Sequence, residues 1–311
     1  MSLTPDALFG SPDHYLHSFD GDAALFVPMD RAAYHRSIFL DRRISLAPGQ
    51  PVKVPGLTAE GRSAAPVGWI FHMAHCGSTL LARALDDLDA SLVLREPLAL
   101  RQLALAPDPA RLALVLAMLG KRYRADAPTL VKANVPVNFL LPRIAAADSN
   151  VRAIQLHLPL RAYLLAILRS DTHRTWLRNV TGQLAAYLGD LSALSDAERA
   201  AALWLAQIEA FAAAQAAMPR ARALDAELFF AEPAGVLKAA ARHLDVPIAD
   251  TTLEAVAAGP LFATYSKNPA LAFDNAARVT RNAALERAIA PELEAAEAWI
   301  EGRTVPVLTA L

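Results

Sequence analysis

Cysteine is almost missing: Cys76 is the only thiol among 311 residues, which excludes an internal disulfide framework. Charge of one sign is missing too. Thirty Lys and Arg stand against 31 Asp and Glu, a formal net charge of -1, so bulk electrostatics give no reason to expect nucleic acid or an anionic membrane as a partner. The longest apolar stretches, such as Leu112 to Leu119, fall far short of the ~20 residues that span a bilayer. The opening MSLTPDALFG lacks the basic-then-apolar layout of a secretory leader. Fixed-period repeats and low-complexity linkers are missing beyond an alanine bias. Together these absences lead to the expectation of a cytoplasmic globular protein with neither nucleic acid nor membrane as partner.

What is present is apolar. With 54% hydrophobic residues the chain can bury a large core, and its length suits one principal domain with an appendage. Residues 1–65 read as the appendage: ALFVPM is a predicted strand, Asp30 a predicted N-cap for RAAYHRSIFL, and LAPGQPVKVPG a punctuated loop. Over 66–311, short apolar segments alternate with helical patterns. WIFHM, SLVLR, TLVKA, VRAIQLH and RARALD are the candidate strands. Helices are predicted after Ser78, between Pro97 and Gly120, around Phe139 to Ala147, from Pro159 to Leu168 and from Asp196 to Ala217. Such alternation predicts a three-layer α/β/α fold on a mainly parallel central sheet. The part after Glu232 reads as mostly helical, broken over 258–278.

The informative stretch is GWIFHMAHCGSTLLARALDDL, Gly68 to Leu88, where a buried strand stops at a polar turn and a helix follows at once. Gly77 permits close backbone approach, Ser78 and Thr79 bring hydroxyls, and the helix start offers free N–H groups to an anion. A full Walker A loop is excluded, because Ser78 occupies the lysine position and the first glycine is missing. His72, His75 and Cys76 fall short of a zinc ligand set, so no metal is expected. A cysteine-dependent phosphate-ester hydrolase using Cys76 is the rival reading. Its signature places arginine after five intervening residues, whereas six separate Cys76 from Arg83, turning the guanidinium about 100° round the helix.

Read with its downstream segments, the turn AHCGSTLL resembles the 5′-phosphosulfate loop of the P-loop sulfotransferase superfamily, in the bacterial branch similar to tyrosylprotein sulfotransferases. LREPLAL, LVKANVPVNFLLPRI and AELFFAEPAGVLKAAARHLDVPI resemble further motifs of that family, in the same order. The resemblance implies a P-loop NTPase-like fold and 3′-phosphoadenosine 5′-phosphosulfate as co-substrate. It also implies sulfuryl transfer to a hydroxyl or amine of a small-molecule or peptide acceptor. On it, Cys76, Gly77, Ser78 and Thr79 hold the 5′-phosphate, His75 and Lys132 stabilise developing charge, and Glu96 is the base. His75 stands where the family carries lysine or arginine. In the 3′-phosphate segment the family's arginine and serine are replaced by His157 and Leu165, leaving Arg161, Arg169 and Ser170 as substitutes nearby. A module that kept the fold and binds nucleotide or phosphate without catalysis is the third reading.

Overall fold

A computed structural model describes residues 4–311. Three strands, β1 (His14–Asp20), β2 (Ala23–Pro28) and β3 (Val52–Pro55), form an antiparallel sheet in that order. The main sheet comprises β4 (Val67–His72), β5 (Leu92–Arg95), β6 (Thr129–Lys132), β7 (Ala153–His157) and β8 (Ala221–Asp225). Its spatial order is β5-β6-β4-β7-β8, and every pairing is parallel. Each of the five predicted strands is therefore present. β4 is central and buried along its whole length, as its unbroken apolar run demands of a strand covered on both faces.

The register shows the three layers. Phe71 pairs with Gln155, whose side-chain amide donates to the Phe211 carbonyl of helix Asp196–Ala217 at 3.1 Å. On the opposite face a Cβ at Gly68 would meet Leu130 and then Leu244 of helix Pro233–Leu244. Successive strand residues point to opposite faces, so these two helices sandwich the sheet. The helix predicted around Phe139 begins as a 3-10 segment, Val135–Leu140, and becomes α-helical only at Leu141. The break over 258–278 is a hairpin of β9 (Thr264–Tyr265) and β10 (Asn268–Ala272). Among the described residues, no helix is long and apolar enough to cross a membrane.

The small sheet is clasped to the main body by side chains. Gln102 exchanges hydrogen bonds with the Phe19 backbone, accepting at 2.8 Å and donating at 2.9 Å. A deeper tie comes from Arg95, the last residue of β5, which is 1% exposed. Its guanidinium donates to the carbonyls of Tyr34, His35 and Ser37, and to Asp86 at 2.8 Å. Those carbonyls belong to the end of helix Arg31–Arg36, capped at its start by Asp30. The helix stops at Ser37, short of the apolar SIFL, because its final carbonyls are turned onto Arg95. Arg31 and His35 complete the shell around Asp86, at 2.7 and 3.2 Å.

Burial raises the Asp86 carboxyl pKa, but the hydrogen bond from His35 and the charges of Arg95 and Arg31 more than offset it and hold it below the ordinary value. Removing this one carboxylate would leave two guanidinium groups uncompensated, the situation that costs about 3–5 kcal/mol. Asp86→Asn is expected to lower unfolding stability by that amount in denaturant titrations at neutral pH. Because the folded pKa is depressed, the contribution is full above the ordinary carboxylate range and is lost as pH falls through the depressed value, so wild type and variant should converge in acid.

Candidate functional site

At the carboxyl end of β4 the chain turns through Met73 to Gly77 and enters helix Ser78–Ala84. His75 has φ 61° and Gly77 φ 81°, so the turn is built on left-handed backbone that only glycine adopts without cost. A Cβ at Gly77 would lie 2.9 Å from the Phe230 ring, a second reason for glycine there. Gly77 is also the N-cap, and no side chain caps the helix. The first-turn N–H groups are thus left for a ligand. Thr79 adds a hydroxyl that is 1% exposed and has no hydrogen-bond partner.

The turn opens on a cavity of about 420 Å³. His75, Gly77, Ser78 and Thr79 form one wall, Ala162, Ala166 and Arg169 a second, and the hairpin with helix Asn275–Ala288 a third. Arg169, Lys267, Arg278 and Arg281 line it against one carboxylate, Glu227. Glu227 is paired with Arg278 through two bonds of 2.8 and 2.7 Å. Arg169 and Arg281 form no ion pair with a carboxylate among the described residues. Arg169 donates to Nε2 of His173 at 2.7 Å, and Arg281 to the Tyr265 hydroxyl at 3.0 Å. Its charge balance, as well as its backbone, suits an anion.

Near the turn lies a polar cluster of Glu96, Lys132 and His72, none of which lines the cavity. Arg95 and Lys132 are register partners, and the chain leaves β5 at Glu96 with φ 57°. Hydrogen bonds fix that turn on both sides: Glu96 N–H donates to the Lys132 carbonyl at 2.7 Å, and Leu40 N–H to the Arg95 carbonyl at 2.7 Å. The turn points the Glu96 carboxylate at the ammonium of Lys132, which is fully buried and donates to it. Burial pushes the carboxyl up, yet the charges of Lys132 and Lys267 outweigh it and hold Glu96 ionised below the usual range. His72 donates from Nδ1 to the Met73 carbonyl at 2.7 Å. Its Nε2 is buried without a hydrogen-bond partner, 4.0 Å from Glu96, and burial with the Lys132 charge takes its pKa down to about 3.

Several expected residues stand apart from the cavity. Arg161 does not line it; one position beyond Leu160 and one before Ala162, it lies outside the Ala162, Ala166, Arg169 face and is held by Glu286 and Glu297 at 2.6 Å each. His157 ends β7 in register with Asp225, also off the cavity wall. Ser170 accepts from Nδ1 of His173 at 2.5 Å, so it touches the cavity only through the His173–Arg169 link. His75 is at the wall but uncharged: burial, then Lys267, His173 and Arg169, push its pKa far down. It therefore contributes a ring, tilted 50° against His173 with centroids 4.4 Å apart, where a charge-stabilising group was expected. Lys132 is withdrawn from the wall onto Glu96.

Arg278, Arg281, Asn282 and Leu285 follow an i, i+3, i+4, i+7 spacing, the mark of one helix face. That face was present in the sequence, but nothing local says what it faces. Cys76 is wholly buried, its thiol donates to the Met73 carbonyl at 3.0 Å, and burial raises its pKa to about 11. A nucleophilic thiolate needs the reverse, so the hydrolase reading loses its nucleophile.

No family model matches the chain, and no curated protein matches it. Among solved structures it is similar to the sulfotransferase domain from the curacin biosynthetic pathway, with 15% identity over 68% of this chain and 84% of that one, TM-score 0.41. It is also similar to a sulfotransferase from Alicyclobacillus acidocaldarius, with 13% identity over 76% of this chain and 96% of that one, TM-score 0.43. Likeness at this level leaves the activity to be read from the residues of the cavity.

The buried thiol is checked by its reactivity. In the folded protein at pH 8, Cys76 is expected to resist a disulfide-exchange reagent for hours, and to react stoichiometrically once denaturant is added. Rapid labelling of the native protein would show an accessible thiolate.

Proposed function

We propose that this chain is a sulfotransferase that takes a 3′-phosphoadenosine 5′-phosphosulfate-type donor and an acceptor hydroxyl or amine. The observation that carries the reading is the cavity itself: an uncapped helix start with an orphaned Thr79 hydroxyl, walled by cations in excess over carboxylate. Bound there, the donor would supply an activated sulfuryl group. Ser78, Thr79 and the backbone from Cys76 hold its 5′-phosphate. Arg169, rather than Arg161, and Arg281 hold the more distant phosphate, in place of the arginine and serine missing around Pro159. Glu96 takes the acceptor's proton, and Lys132 keeps that carboxylate ionised and aimed.

The pairing of Glu96 with Lys132, linked to the cavity through Lys267 and Phe39, favours an enzyme over a binding module. A half-buried, ionised carboxylate on a left-handed residue costs stability, on the order of 1–3 kcal/mol for the backbone alone, and a module that only binds phosphate has no use for it. The acceptor's chemistry is set by a carboxylate base, which suits a hydroxyl or a neutral amine as nucleophile.

Calorimetry with adenosine 3′,5′-bisphosphate and adenosine 5′-monophosphate tests the donor. The bisphosphate is expected to bind at least about tenfold more tightly, a difference of about 1.4 kcal/mol, and Arg281→Ala or Arg169→Ala to erase most of that preference. Equal affinity in wild type would reject the donor assignment. Glu96→Gln keeps shape and removes basicity, so turnover should fall about 10²- to 10⁴-fold with nucleotide affinity nearly unchanged.

A further inference from the structure

The phosphate-holding turn has no cation of its own. Its basic position is His75, held neutral by burial, and Lys132 is committed to Glu96. A leaving phosphate oxygen that gains charge would therefore meet only backbone N–H groups and hydroxyls from this segment. One cation remains at the junction between cavity and carboxylate. Lys267, between β9 and β10, lines the cavity together with Ser78 and Thr79. Its ammonium stands 5.7 Å from the centroid of Phe39, and Lys132 stands 5.7 Å from the same ring on the Glu96 side. Lys267 has no ion-pair partner among the described residues.

The hairpin that carries it is fastened to the turn. Arg83, in the last turn of helix Ser78–Ala84, donates to the Ser266 carbonyl at 2.8 Å. Arg281 donates to the Tyr265 hydroxyl, and Phe273 packs on both Tyr265 and Phe230, the ring that closes on Gly77. Hence the helix that starts at the phosphate turn also sets where Lys267 sits. The charge of Lys267 already depresses the pKa values of His75, His72 and Glu96, the groups around the point where cavity and carboxylate meet.

We infer that Lys267 is a catalytic residue, the cation that the phosphate turn lacks, brought in from the C-terminal hairpin to neutralise charge on the leaving phosphate. The inference rests on the sulfotransferase reading. In the transfer, the sulfur–oxygen bond to the 5′-phosphate breaks while a bond from sulfur to the acceptor oxygen or nitrogen forms. The acceptor's proton passes to Glu96, and the electron pair of the broken bond stays on the phosphate oxygen facing Lys267. An interaction made with developing charge acts on turnover more than on ground-state binding.

The test uses Lys267→Met, which keeps the stem and removes the charge, and Lys267→Arg, with thermal melts to show that both fold as wild type does. Single-turnover rates with the phosphosulfate donor are expected to fall about 10²- to 10³-fold in Lys267→Met and substantially less in Lys267→Arg, while affinity for the intact phosphosulfate donor, measured without acceptor, changes by no more than a few-fold. Placing a cation back in the turn, His75→Lys on the Lys267→Met background, is expected to recover at least about tenfold. Retention of more than half the rate by Lys267→Met would overturn the inference. So would a loss of affinity for the intact donor in proportion to the rate, which would make Lys267 a nucleotide-binding group only. Wild-type protein that fails to bind the bisphosphate at all would instead bring down the parent reading and this inference with it.

Discussion

A cation buried in a protein interior must be paired or lose its charge, and this fold buries two of them side by side. Arg95 and Lys132 sit opposite one another at the ends of β5 and β6, where the sheet delivers its strands to the cavity. Arg95 turns to Asp86 and to the carbonyls at the end of helix Arg31–Arg36. Lys132 turns to Glu96. The first pairing fastens the N-terminal sheet and helix to the main sheet; the second holds an ionised carboxylate at the same strand-end edge. Both depend on consecutive residues, so the chain cannot lose the structural pair without disturbing the chemical one.

The N-terminal segment is thereby part of the site's construction. Leu40 bonds the backbone on both sides of Glu96, donating to the Arg95 carbonyl and accepting from Leu98 N–H at 3.3 Å. Phe39 lies under both Lys132 and Lys267. Left-handed backbone at non-glycine residues occurs at His75, Glu96 and Asp245 among the described residues, and the first two flank the cavity. Conformations of this kind persist only where neighbours over-determine them, and the hydrogen bonds from Leu40 and Lys132 supply that constraint at Glu96.

The sheet was legible because β4 to β8 are apolar runs bounded by turn residues, and the phosphate turn because glycine and two hydroxyl residues stand between strand and helix. The placement of Glu96 and Lys132 at one sheet edge followed from their positions after SLVL and TLV. Arg161 misled because one residue of helix phase separates the cavity face, Ala162, Ala166 and Arg169, from the face held by Glu286 and Glu297. The charge of His75 was illegible for a different reason: it is set by burial and by Lys267, about 190 residues away in sequence, and a tertiary field leaves no local pattern. The third cavity wall shows the same limit. The face made by Arg278, Arg281, Asn282 and Leu285 can be read as a face, but its place in the same cavity as Gly77 is a fact of tertiary packing.

The central claim is that Lys132 holds down the Glu96 carboxyl pKa in a place where burial alone would raise it. Carbon-detected titration of the side-chain carboxyl, in wild type and in Lys132→Met, measures this directly. The account requires Glu96 to titrate below the ordinary glutamate range in the wild-type protein and to move clearly upward once the ammonium is gone, since desolvation is then opposed chiefly by the weaker charge of Lys267. An ordinary glutamate pKa in both proteins would contradict it, because the carboxylate would then be neither buried nor paired as the fold demands.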